Sequence, residues 1–116
     1  MNPSELKSRT KRFALRIIKV VGALPRTTAG RAIGSQLIRS GTAVAANYRA
    51  SCRARSKAEF VAKIGLVEEE ADESALWIEL LGEGNIVPAR RLKSLLEEAC
   101  ELTAIMAASR KTVSGH

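Results

Sequence analysis

Aromatic side chains are nearly absent from this chain: Phe13, Tyr48, Phe60 and Trp77 make up 3% of its 116 residues. Sheets draw on aromatic and β-branched residues, whereas Ala, Leu, Arg, Glu and Lys abound here, so the scarcity points to an all-α fold. It also limits recognition, because few rings are present to stack on bases. Cysteine is scarce too. Cys52 and Cys100 are too few and too far apart for a disulfide framework and form no CxxC metal spacing, so they read as small core or interface residues. No apolar run approaches the ~20 residues of a membrane-spanning helix. The first twenty residues carry Lys7, Arg9, Lys11, Arg12, Arg16 and Lys19, which interrupt the apolar stretch that a signal peptide would need. The expectation is a soluble chain in the cytoplasm that makes no membrane contact.

The first half also lacks acid. Residues 1–58 hold thirteen Lys or Arg against Glu5 alone, a net of +12, while residues 59–116 carry −5, which together make the overall +7. A length of 116 residues suits one domain spanning 1–116, and 46% apolar content argues against disorder.

Periodicity and punctuation divide the chain into four helices. Asn2 and Pro3 start the first, whose stripe of Leu6, Thr10, Phe13, Ile17, Val20 and Leu24 faces a core while the cations project away, and Gly22 and Pro25 end it. Thr27 or Thr28 caps the second, which runs to about Arg53 with Ile33, Leu37, Ser40, Val44 and Tyr48 along one side. Its glycines, Gly30, Gly34 and Gly41, mark a broken helix or a close helix–helix or subunit contact. Ser56-Lys57-Ala58-Glu59 has the capping-box pattern and opens the third. Phe60, Ile64, Val67, Ala71, Ser74, Ile78 and Leu81 form its stripe, widened by Leu66, Trp77 and Leu80, before Gly82, Gly84 and Asn85 stop it. Pro88 begins the fourth, with Leu92, Leu95, Leu96, Ala99, Leu102 and Met106 inward and a tail that frays from about residue 111. Four helices of roughly 20–30 residues with short connections predict an antiparallel up-down-up-down bundle.

The residues offer little for catalysis. A carboxylate-bridged di-metal centre takes carboxylates from all four helices and two inward histidines, but helices one and two supply Glu5 alone and the one histidine is His116. Glu68-Glu69-Glu70-Ala71-Asp72-Glu73 comes from a single helix and reads as a solvated or intersubunit charge face. No nucleophile–base pair and no phosphate-binding glycine loop can be assembled. The chain is expected to be no enzyme and to hold no metal or other cofactor.

The basic half supports two readings. Lys7, Lys11, Arg12, Arg16 and Lys19 on the first helix, with Arg49, Arg53 and Arg55 near the second junction, form a surface suited to RNA or DNA phosphates, read by charge and shape and not by sequence. Alternatively the basic half of one copy packs on the acidic half of the next, and the chain is a protein–protein scaffold. Arg39, Ser40 and Asn47 read as architectural, with Arg39 pairing to Glu69 or Glu73 across helices.

Gln36-Leu37-Ile38-Arg39-Ser40-Gly41-Thr42-Ala43-Val44-Ala45-Ala46-Asn47-Tyr48-Arg49, followed by Cys52-Arg53-Ala54-Arg55-Ser56-Lys57-Ala58-Glu59-Phe60, resembles the small bacterial proteins encoded in intervening sequences of 23S ribosomal RNA genes. Glu70-Ala71-Asp72-Glu73-Ser74-Ala75-Leu76-Trp77 and Glu98-Ala99-Cys100-Glu101-Leu102 extend the likeness over nearly the whole chain. The resemblance implies an antiparallel four-helix bundle assembled into a homopentameric ring with a central channel. It further implies kinship with the accessory proteins of diversity-generating retroelements, basic bundles that bind nucleic acid and a reverse transcriptase. It brings no catalytic site. Many members carry Ile-Ala-Glu-Gly after the asparagine, where this chain has Tyr48-Arg49-Ala50-Ser51, so a base stands beside the place of that acid.

Overall fold

Asn2 starts the first helix as its sequence suggests: its Oδ1 accepts the Glu5 backbone N–H at 2.8 Å, and Pro3 occupies the first turn, where no N–H is required. A computed structural model describes residues 1–115, so His116 lies outside the described residues. Four helices follow in order, α1 (Pro3–Gly22), α2 (Thr28–Ser51), α3 (Lys57–Glu83) and α4 (Ala89–Ser114), and no strand occurs among the described residues. Each helix runs antiparallel to the one before it. α1 packs on α2, α2 on α3 and α3 on α4, while α1 and α4 meet sparingly, giving a four-helix bundle of 44 × 20 × 20 Å.

Thr27 is the cap of α2, accepting the Gly30 N–H at 3.0 Å. Gly30, Gly34 and Gly41 all lie within one continuous helix, so the three glycines do not break it. All three admit a neighbour: a Cβ on Gly30 would run into the Pro25 carbonyl oxygen, one on Gly41 would fall 2.7 Å from Ile17 Cγ1, and one on Gly34 would fall 3.0 Å from Leu24 Cδ1. The small residues of α2 therefore serve close packing against α1 inside one subunit. Ser56 Oγ accepts the Glu59 N–H at 3.0 Å, but Glu59 Oε2 takes the N–H of Arg55 at 3.2 Å in place of that of Ser56, a capping box shifted by one residue.

The core follows the expected stripes. Phe13, Ile17, Leu37, Val44, Ile64, Val67, Ile78, Leu81, Leu102 and Met106 are fully buried. Between α2 and α3, Ser40 Oγ and Ser74 Oγ share a buried hydrogen bond of 2.8 Å, which satisfies both hydroxyls and fixes the register of the two helices.

Several expectations are corrected by this packing. Leu66 and Leu80 do not widen the core face of α3: both are exposed with Leu76, on the side turned away from α2 and α4, and Trp77 is half-buried. Cys52 and Cys100 are exposed and do not belong to the core. Cys52 stands just past the last turn of α2, and Cys100 is turned outward from the buried Ala99. α2 stops at Ser51, two residues before Arg53, as the Arg53 and Ala54 N–H groups turn back to Ala50 and Ser51. The tail is helical past residue 111. α4 continues to Ser114 because Val113 lies two turns beyond the buried Met106 and lines an apolar groove with Leu6, Phe60 and Ile105.

Candidate nucleic-acid interface

The first two helices carry a long face almost without acid, and its arrangement follows from how α1 and α2 pair. Lys7 and Lys11 lie one turn apart on α1, on the side toward α2. There they meet Arg49 across a floor of Ala14, Thr42, Ala45 and Ala46, lining a groove of about 400 Å3 with no carboxylate in its walls. The Thr42 hydroxyl donates to the Ile38 carbonyl at 2.7 Å, so the floor presents methyl groups and the rim presents cations.

A second groove lies at the opposite end of the same helix pair. Arg26 and Arg31 border it beside Val21, Leu24, Pro25 and Ile38, again with no carboxylate. The Arg31 guanidinium donates to the Arg26 carbonyl at 3.2 Å, which anchors its side chain and leaves its charge uncompensated. Sequence reasoning missed these two arginines. The signal was present: Arg31 and Arg49 are eighteen residues apart, about five helical turns, and so share one face of α2.

The remaining basic residues are not brought together with this groove. Arg12 lies on the other flank of α1, in a notch with Ser4, Glu5, Ser8 and Arg9. Arg16 donates to Ser94 Oγ of α4 at 2.9 Å, and Lys19 is exposed in the last turn of α1. Arg53 and Arg55 are exposed in the short connection between α2 and α3.

Ion pairing separates the two halves of the charge pattern. Arg9 makes a paired contact to Glu98, Nε to Oε2 and Nη2 to Oε1 at 2.7 Å each, with Glu101 at 3.3 Å; these acids raise its pKa further above the ordinary guanidinium value. Arg39 bridges Glu70 at 3.0 Å and Glu73, which raise its pKa in the same way. The partner is Glu70 and not Glu69, because Glu69 sits one position, about 100°, further round α3 and is exposed. Trp77 Nε1–H donates to Glu73 Oε2 at 3.0 Å, and this bond, reinforced by Arg39, holds the Glu73 carboxyl below the usual range. Arg110 pairs with Glu68 at 2.9 Å, which raises the arginine's pKa. Asn47 lies half-buried two turns beyond Ser40 on α2. Lys7, Lys11, Arg26, Arg31 and Arg49, by contrast, have no carboxylate within ion-pair distance among the described residues.

Two further features bear on chemistry. Among the described residues no three His, Cys, Asp or Glu side chains cluster as a metal site requires, and no helix is long and apolar enough to cross a membrane.

Residues 4–108 match the family model for the 23S rRNA-intervening sequence protein. The chain belongs to that family. A crystal structure of a protein of unknown function from the S23 ribosomal protein family of Bacteroides thetaiotaomicron VPI-5482 shares its fold, with a TM-score of 0.88 at 27% identity. The likeness covers 96% of this chain and 99% of that one. Comparison with curated proteins returned no match. The bundle, the shifted capping box at Ser56, the Ser40–Ser74 bond and the nearly acid-free face of α1 and α2 are therefore features of a 23S rRNA-intervening sequence protein.

Proposed function

We propose that this chain is a non-catalytic, self-associating module of the cytoplasm that binds RNA or DNA through phosphate contacts on its basic surface. The observation that carries the reading is the separation of charge: Arg9, Arg39 and Arg110 take up acids of α3 and α4, while the cations of the α1/α2 face keep no acidic partner among the described residues. Such a surface raises the local concentration of a polyanion and gains affinity by releasing its counterions. Contacts of this kind position a backbone and carry little base information.

Self-association is supported by a second pair of surfaces. Leu15 is exposed on α1 beside Arg12 and Lys19, on the flank turned away from the groove, and Leu66, Leu76 and Leu80 are exposed on α3 beside Glu69 and Asp72. Apolar patches edged with opposite charge suit a head-to-tail contact between copies, and a contact of that type makes a ring when its rotation closes. The family resemblance expects five copies. The same patches support the alternative of a protein–protein scaffold that docks a partner such as a reverse transcriptase.

A gel shift at low salt, run on material whose mass is fixed by light scattering, tests the reading. Retention of a generic RNA or DNA that weakens steeply with added salt is the expected result. Absence of any shift by the intact assembly leaves the scaffold, and a monomeric mass at micromolar concentration removes self-association.

A further inference from the structure

We infer that the α1/α2 face takes double-stranded nucleic acid, with one phosphate backbone seated between Lys7, Lys11 and Arg49 and a second contact made by Arg26 and Arg31. This rests on the nucleic-acid reading above and narrows it to one face and one ligand class. The argument begins with what lines the face. Neither groove contains an aromatic side chain: Tyr48 and Phe13 are buried, Phe60 packs at the α1/α4 end, and Trp77 is held on α3 by Glu73. Proteins that hold single strands stack successive bases on aromatic rings, and here there is nothing to stack on. The floor offers no base-reading group either, since it is alanine and a threonine already bonded to its own helix. What remains is cation against phosphate, which a duplex displays without exposing its bases.

Spacing points the same way. Arg31 and Arg49 stand ~27 Å apart along one uninterrupted helix, about the length of eight stacked base pairs at 3.4 Å. Between them lie the uncharged Ser35, Ile38 and Thr42. A flexible strand would lose its conformational freedom to reach both basic clusters across a stretch that gives it nothing, whereas a stiff duplex spans them already ordered. Duplex DNA and duplex RNA share this chemistry, and the experiment separates them.

The full-length chain is titrated by fluorescence anisotropy with DNA and RNA duplexes of about 16 base pairs, with each constituent strand alone, and with polyglutamate of matched charge, over a series of salt concentrations. Either duplex is expected to bind about tenfold or more tightly than its strands, the tighter of the two naming the helix form preferred. K7Q/K11Q/R49Q should lower duplex affinity and flatten the plot of log K against log salt by about 2.7, at ~0.9 for each phosphate no longer neutralised, and R26Q/R31Q by about 1.8. K93Q, at the α3/α4 end, should leave binding unchanged. Equal or tighter binding of the strands overturns the inference while the nucleic-acid reading stands, and so does duplex binding indifferent to the Lys7, Lys11 and Arg49 changes. Polyglutamate competing as well as the duplex overturns it in favour of an acidic protein partner. Failure of every nucleic acid to bind removes the parent reading as well. The duplex-to-strand ratio is measured on the unmodified chain, so the outcome does not depend on the variants folding.

Discussion

Gly41 of α2 lies directly against Ile17 of α1, so closely that a Cβ at position 41 would fall 2.7 and 2.8 Å from the isoleucine's Cγ1 and Cγ2. That contact brings the backbones of the two basic helices together, and it thereby sets Lys7 and Lys11 beside Arg49. The geometry of the groove thus depends on a residue that carries no charge.

Replacing Gly41 by alanine should cost stability even though alanine favours helix by about 1 kcal/mol. Ile17 is fully buried and cannot move aside, so the overpacking should give a net loss of about 1–3 kcal/mol. Gly65 is the control. Only Arg110 Cδ comes within reach of a Cβ there, at 3.9 Å, so G65A should stabilise the chain by up to about 1 kcal/mol. Denaturant melts of the two variants should shift in opposite directions, and a G41A variant as stable as the parent would show that α1 and α2 can separate without loss.

The bundle was legible because its signals are local. Asn2 and Ser56 cap helices through atoms three residues away, and the four-three stripe from Phe60 to Leu81 needs no knowledge of a partner. Pairing across helices was legible only in part, since Arg39 with Glu73 was among the alternatives and Arg39 with Glu70 was not. Glu69 and Glu70 are chemically alike, and only the α2–α3 register pinned at Ser40 and Ser74 decides that Arg39 meets Glu70. Leu66 and Leu80 failed for the same reason, since leucine's apolarity does not tell which side of α3 its neighbours cover. The candidate site was half visible. Charge asymmetry announced a polyanion surface, but which cations share a groove depends on the α1–α2 approach at Gly41, and Arg26 and Arg31 were passed over accordingly.

Arg9 is the main polar tie across the seam where α1 and α4 touch sparingly. Its pairing with Glu98 is largely sheltered, at 17% and 16% side-chain exposure, so R9A would leave a shielded carboxylate without its cation. A loss of about 1–3 kcal/mol is expected, the scale of an orphaned charged group. Hydrogen exchange should rise first in α1 and the facing turns of α4, and exchange that rises instead at the α2–α3 contact would locate the weak seam elsewhere.

Trp77 is the chain's one tryptophan and donates to Glu73, so its emission reports that carboxyl. The Trp77 bond and Arg39 favour the ionised form and lower the Glu73 pKa; the stability this contributes is present above the ordinary glutamate value and is lost as pH falls through the lowered one. An acid titration should therefore show a change in Trp77 emission with its midpoint below about 4.3, the ordinary glutamate pKa. E73Q should abolish that step. A midpoint at or above the ordinary value would mean that the indole and guanidinium do not hold the carboxylate in solution.

At the alkaline end the control passes to Tyr48. Burial, then the neighbouring Cys52, pushes its phenol up to about 12, because a phenolate at this buried position would lose its hydration. The folded chain then keeps a proton that the unfolded chain gives up near pH 10, so folding binds more protons in this window and stability must fall as pH rises. The contribution is fully present below about pH 10 and is lost on passing about pH 12, a swing on the order of 2–3 kcal/mol for two pKa units. Y48F has no proton to lose. The difference in stability between parent and Y48F, measured by urea melts from pH 9 to 12, should move steadily in favour of the phenylalanine variant, since all other titrating groups are common to both. A difference that stays constant over that range would place the phenol in contact with water and would require the core around Tyr48 to open at high pH.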